Sequence, residues 1–139
     1  MFSMPASDCI FCKIFAGKIP SKKVFEDAKV IGILDINPIS EGHTLVIPKK
    51  HYETIDVVPD GEFGAIFGAV KKIVSKLRDK LEPDGFNVVQ NNNPAAGQVI
   101  PHFHIHVIPR KEGDGCFSLN AGEPADSDQL DAILQKLED

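Results

Sequence analysis

Apolar residues recur at three- and four-residue steps from Phe63 through Ile66, Phe67, Val70, Ile73, Val74 and Leu77 to Leu81, with lysines largely elsewhere. That spacing predicts a long amphipathic helix after Pro59, with Asp60 placed to cap its start and Pro83 just beyond its end. The remaining segments read mostly as strands. Residues 22–26 and 30–35 are extended stretches joined by a hairpin turn in "EDAK", and "HTLVIPK" is β-rich from His43 and stops at Pro48. "GFNVVQ" and "FHIHVI" read as two more strands, the latter closed by Pro109, with "NNNPAAG" as the loop between them. A short helical turn follows the first two cysteines through Ala16 and ends at Gly17, while Leu130, Ile133, Leu134 and Leu137 mark a short amphipathic C-terminal helix. No repeat or long linker divides the chain. The order of elements predicts a single α+β domain over residues 1–139, an antiparallel sheet with the long helix packed on it.

At the start of the last predicted strand and within it stand His102, His104 and His106, three of only five histidines in the chain. Strand alternation puts the three imidazoles on one face and Phe103, Ile105 and Val107 on the other. The apolar set suits a core and the histidines suit a cleft. One metal could gather all three only with distortion, because same-face neighbours lie roughly 6.6 Å apart along a strand and zinc-nitrogen bonds are about 2 Å. A nucleophile, a metal ligand and a solvated stripe all remain compatible with the pattern. The preceding "NNNPAAGQ" offers amide groups, Gly97 and exposed backbone N–H groups, a composition that suits a phosphate cradle. Against a phosphate, a neutral imidazole can attack phosphorus to form a phosphoramidate that water cleaves. A protonated neighbour can then donate to the non-bridging oxygens.

Composition narrows the partners. A net charge of -5 over 139 residues gives no broad basic footprint for duplex nucleic acid, so an anionic ligand must be held by a local site. No apolar run reaches the roughly 20 residues of a membrane span, and the first residues lack a signal-peptide layout, which reads as cytoplasmic. Three cysteines, two of them spaced as Cys9-x-x-Cys12, suit metal or redox chemistry better than a disulfide framework. A thioredoxin-like βαβ context is not evident around them.

"HFHIHVI" resembles the His-φ-His-φ-His-φ-φ motif, φ being apolar, of the histidine triad (HIT) nucleotide hydrolases and transferases. The likeness extends over nearly the whole chain through "DCIFCKIFAGKIPS", "ILDINPISEGHTLVIPKKH" and "NNNPAAGQ", and is nearest the Hint-like branch with an N-terminal Cys-x-x-Cys. The resemblance implies a purine nucleoside phosphoramidase or adenylyl hydrolase, with diadenosine polyphosphate cleavage and a nucleotide-binding interaction module as alternatives. It implies His104 as the residue that attacks the α-phosphorus, His106 as its α-phosphate contact, and His43 as a support from a neighbouring strand. Gln98 and the backbone at Gly97 and Val99 would hold phosphate oxygens, Asn91 would contact the ligand, and Asp35 with Ile36 would meet the ribose or base. Val99 stands where many Hint-like members carry a serine or threonine, which removes a hydroxyl contact.

The same resemblance implies a structural zinc ion bound by Cys9, Cys12, His51 and His102, and a homodimer to which the sheets and the 60–81 helices contribute. A closed four-ligand site of this type leaves no position for substrate. The triad would then divide its work, His102 for metal and the other two for phosphate.

Overall fold

Residues 6–138 are described in the computed structural model of the chain, so the ends of the domain expected over 1–139 lie outside the described residues. Five antiparallel strands form one sheet: β1 (Lys23–Glu26), β2 (Val30–Leu34), β3 (Thr44–Pro48), β4 (Gly85–Gln90) and β5 (Ile105–Arg110). Their spatial order is β1-β2-β3-β5-β4. Helix α1 (Ile10–Phe15) precedes the sheet, α2 (Phe63–Leu81) packs across β1, β2, β3 and β5, and α3 (Ser127–Leu137) ends the chain.

Both faces of the central strands are buried, which explains continuous apolar runs such as "TLVIP". Val30, Val46, Ile105 and Val107 meet Ile66, Val70, Ile73 and Leu77 of α2 in one core. Ile31, Ile33, Leu45 and Ile47 form a second core with Phe11 and Cys9, so α1 covers the sheet face that α2 leaves open. Each fully buried side chain of this size contributes roughly 1.5–3 kcal/mol. The "EDAK" hairpin forms as the sequence suggests, because the Asp27 carboxylate accepts the N–H groups of Lys29 and Val30, both at 2.8 Å.

Three local readings change. Asp60 does not cap α2; it opens a 3-10 turn, Asp60–Glu62, that runs straight into the helix, and the Glu62 side chain makes no capping bond. The last strand starts at Ile105 rather than Phe103 and continues through Pro109 to Arg110. The C-terminal helix begins at Ser127 under a reciprocal Asp126 and Gln129 capping box, yet Leu130, Ile133, Leu134 and Leu137 all remain exposed.

Gly42 delivers the chain into β3. Its φ of +89° lies in the left-handed region, and a Cβ there would stand 2.6 Å from Leu81 Cδ1. Gly42→Ala should therefore cost about 1–3 kcal/mol, read as a lower urea midpoint at unchanged slope. An unchanged midpoint would show that the turn relaxes freely.

Candidate functional site

The chain reaches the histidines through Pro101, which has no N–H, and then spends its backbone away from the sheet. The N–H of Phe103 donates to Tyr52 O at 2.6 Å, and pairing with β3 begins only at Ile105, opposite Val46. His102 and His104 consequently precede the strand, and His106 alone of the three lies in it. Alternation still holds for the apolar partners, since Phe103, Ile105 and Val107 all enter the α2 core.

Fixed backbone groups assign the proton on each ring. The His102 carbonyl lies 2.7 Å from His104 Nδ1 and can only accept, so Nδ1 carries the proton and Nε2 keeps its lone pair. His104 is 6% exposed and lines a cleft, with no protein partner for Nε2 among the described residues. The N–H of Ile39 donates to His43 Nδ1 at 3.0 Å, which places the His43 proton on Nε2. That Nε2–H donates to His106 Nδ1 at 2.9 Å, with Asp35 Oδ2 3.5 Å from the same nitrogen. His106 is left as a donor through Nε2. One backbone N–H therefore sets two tautomers in series.

Burial holds His106 down to about 4, reinforced by His104 and His43. Burial also lowers His104 and His43, with Asp35 opposing it in part. The protonated neighbour expected from sequence is thus a neutral imidazole near pH 7, and it donates through its tautomer rather than through charge. The unfolded chain binds a proton at the ordinary value near 6.5 and the folded His106 only near 4. Its contribution to stability is therefore complete above pH 6.5 and is lost as pH falls through 4. A denaturant midpoint that drops between pH 7 and pH 5 is the expected result; one that rises would contradict the lowering of His106 by burial.

The cleft has a volume of about 570 Å³ and takes its walls from Ile10, Phe11 and Ile14 of α1, with Ile19, Ile33 and Leu45 beside them. His104, His106 and Asp35 line the same space. Ile36 and Val99, 89% and 85% exposed, stand on its rim. The α1 residues were missed as site residues in the sequence, although Ile10, Phe11 and Ile14 carry a helical spacing beside Cys9 and Cys12 that could have marked a wall. Asp35 also serves locally, its Oδ1 accepting the Asn37 N–H at 2.8 Å as in an Asx turn.

Other expected contacts lie outside the cleft lining. The Gln98 side chain, expected to hold phosphate oxygens, is buried and spends both ends on backbone: Oε1 accepts the Asn93 N–H and Nε2 donates to Glu53 O, each at 2.7 Å. Its amide braces the loop. The Gly97 N–H is bonded to Pro94 O, and Asn91 sits beside Gly97 rather than in the cleft wall. Of that loop, Val99 and Ile100 are the residues that reach the cleft.

A second cluster lies behind the first. Cys9, Cys12, His51 and His102 place one ligand atom each within 4.8 Å of one another. His102 Nδ1 is 3.3 Å from Cys9 Sγ, 3.6 Å from Cys12 Sγ and 3.1 Å from His51 Nδ1, and Cys12 Sγ is 3.4 Å from His51 Nδ1. A tetrahedral zinc site with these donors has edges of roughly 3.3–3.8 Å. His102 Nε2 faces Pro48 O at 2.8 Å and so carries the proton, which leaves Nδ1 unprotonated toward the cluster. Burial pushes the Cys12 thiol up to about 12 and holds His102 at about 4. A cation supplies the charge that turns such thiols into thiolates. His51 Nε2 is buried with no hydrogen-bond partner among the described residues, an imperfect support in the set. Asp35, His43 and His106 are also close enough to share an ion, but the Ile39 N–H keeps the proton of His43 on the nitrogen that would have to bind it. That group is wired for hydrogen bonding instead.

Helix α2, the longest element, has no stretch long and apolar enough to cross a membrane, nor has any other helix among the described residues. Residues 16–113 match the HIT domain family model. The chain is 51% identical over 129 residues to an uncharacterized HIT-like protein of Methanocaldococcus jannaschii, covering 93% of this chain and 98% of that one. It is 42% identical over 140 residues to a protein of Candida albicans named adenosine 5'-monophosphoramidase, covering 96% and 91%. A solved structure described as a zinc-bound histidine triad family protein from Mycobacterium smegmatis superposes with a TM-score of 0.76 at 34% identity, covering 96% of this chain and 100% of that one. With its family match extending from the end of α1 past β5 and relatives aligned almost end to end, the chain belongs to the HIT domain family, as a member whose Cys-x-x-Cys lies just N-terminal to the matched residues.

Proposed function

We propose that the protein is a purine nucleoside phosphoramidase or adenylyl hydrolase that works through a covalent nucleotidyl-His104 intermediate. The observation that carries this reading is the bond from His104 Nδ1–H to the His102 carbonyl, which leaves the Nε2 lone pair available in the cleft. In the first step Nε2 attacks the α-phosphorus and the bond to the leaving nitrogen breaks. Its electron pair departs with the amine, which takes a proton from water. The ring gains positive charge, and the Nδ1–H bond to the carbonyl strengthens as it does so. Water then attacks phosphorus, the phosphorus-nitrogen bond returns its pair to Nε2, and nucleoside monophosphate leaves with the water proton released to solvent.

His106 donates its Nε2–H to a non-bridging α-phosphate oxygen, and His43 holds it in that tautomer. The Val99 backbone gives a second phosphate contact in place of the missing hydroxyl, with Gln98, Gly97 and Asn91 shaping the loop behind it. Asp35 accepts from the ribose hydroxyls, Ile36 covers the sugar or base, and the α1 wall takes the purine. The ion between the cysteines and histidines is zinc in a structural role, and it contributes rigidity rather than chemistry. Three free cysteines suit a reducing, cytoplasmic setting.

Steady-state comparison of an adenosine phosphoramidate, adenylylated lysine and diadenosine polyphosphates tests the reading. The highest kcat/KM is expected for an amine leaving group, since Lys22 is the one cation among the cleft-lining residues and polyphosphate would gain little there. Preference for the dinucleotide would transfer the assignment to the polyphosphate hydrolases. No turnover above background would leave a nucleotide-binding module.

The protein also pairs as a homodimer in this proposal, through the free edge of β4 and the outer face of α2. Val88 shares the sheet face of its register partner Val107, on the side of α2, and both Val88 and Phe67 are exposed. Sedimentation should give a dimer for the parent and a monomer for Val88→Glu. A monomeric parent would rule the pairing out.

A further inference from the structure

The residue that feeds the metal cluster also holds the attacking ring. His102 turns Nδ1 toward Cys9, Cys12 and His51, while its carbonyl accepts the Nδ1–H of His104 at 2.7 Å. Between the two cysteines stands Phe11, whose ring meets both imidazoles edge-on, 5.7 Å from His102 and 5.1 Å from His104 between centroids. The same six-residue α1 carries Ile10, Phe11 and Ile14 into the cleft wall. A helix of this length has no stability of its own in water. Its first turn is held by Cys9, which is its N-cap and accepts the Cys12 N–H at 3.5 Å, and by the packing of Phe11.

We propose that the metal at Cys9, Cys12, His51 and His102 sets the nucleotide site as well as the fold: it fixes α1 and the His102 peptide, and through Phe11 as positioning residue it fixes the purine wall and the ring of His104. This rests on the reading of the cluster as a metal site. Without the ion, two thiols and two imidazoles stand 3.1–3.6 Å apart, joined only by weak thiol–imidazole contacts and by the His102 bond to Pro48 O. Rotation of His102 toward solvent or toward a thiol pulls on the peptide whose carbonyl orients His104. Loosening of α1 at the same time opens the wall. The first change slows chemistry and the second weakens binding, so the two losses come together although neither the ion nor its ligands touch the nucleotide. A misplacement on the order of 1 Å is enough to cost about a hundredfold in rate.

Three preparations of the full chain decide the point: as isolated, after chelation, and after reloading with Zn²⁺. Each is assayed for metal content, AMP affinity by calorimetry, and the His104 tautomer by ¹⁵N-histidine NMR. Loaded protein should show His104 as a single Nδ1–H tautomer. Chelated protein should show mixed tautomers, an AMP affinity lower by about tenfold and a single-turnover nucleotidylation rate lower by about a hundredfold, all restored by Zn²⁺. Should the chelated chain unfold, Phe11→Leu decides alone: it keeps one metal per chain, loses the single His104 tautomer, and nucleotidylates about tenfold more slowly. Chelated protein with unchanged AMP affinity and an unchanged His104 spectrum overturns the coupling and leaves the metal as a staple. A Phe11→Leu protein with unchanged nucleotidylation does the same for the positioning role. Protein that carries no metal in any preparation overturns the metal reading itself, and the proposal with it.

Discussion

Replacement of His104 by asparagine should lower turnover by about four to six orders of magnitude, the range in which losing a nucleophile or its partner acts, while AMP still binds. Asparagine is the informative choice because its side-chain N–H can donate to the His102 carbonyl as Nδ1–H does, so the local backbone keeps its partner. What disappears is the lone pair on Nε2. The cleft wall of Ile10, Phe11 and Ile14 is untouched, and with it the apolar contact that supports nucleotide affinity. The effect should fall on kcat with KM little changed. A variant that retains more than about a hundredth of the activity would mean that water attacks phosphorus directly, with His104 acting only by hydrogen bonding.

The second large effect is on stability. A Cys9→Ser, Cys12→Ser double variant should lose its metal and at least about 3 kcal/mol, a part of the roughly 10–16 kcal/mol with which structural zinc binds small peptides. The α2 core does not involve these residues and should persist, so the variant is destabilised rather than unfolded. In a chain of this size the loss corresponds to a melting temperature lower by about 10 °C. Metal analysis should fall from about one ion per chain to none. Full metal content in the double variant would remove Cys9 and Cys12 from the ligand set.

Much of the site was legible in the residues because its signals are local. Single-residue alternation in "HFHIH" separates core from cleft whether or not the segment is hydrogen-bonded as a strand, so Phe103 and Ile105 entered the core even though pairing starts only at Ile105. The long helix was equally plain, because one face of it must meet the sheet. What the sequence hid depends on backbone in distant segments. No spacing shows that Ile39 N–H and the carbonyls of Pro48 and His102 settle the protons of His43, His102 and His104. Nor does "AAGQ" reveal that the Gln98 amide turns inward to Asn93 and Glu53 instead of facing a phosphate. Pro101 and the Phe103 bond to Tyr52 delay the strand by reaching across the fold, and the helical spacing in α1 marks an apolar side without showing that this side borders the cleft of His104 and His106.

The central claim is that the phosphoryl centre is displaced twice, first by His104 and then by water. Each in-line displacement inverts phosphorus, so the stereochemical course counts them directly. Hydrolysis of an adenosine phosphorothioamidate of defined configuration in ¹⁸O-labelled water should give labelled phosphorothioate with net retention. Net inversion would mean a single displacement by water and would contradict the nucleotidyl-histidine account.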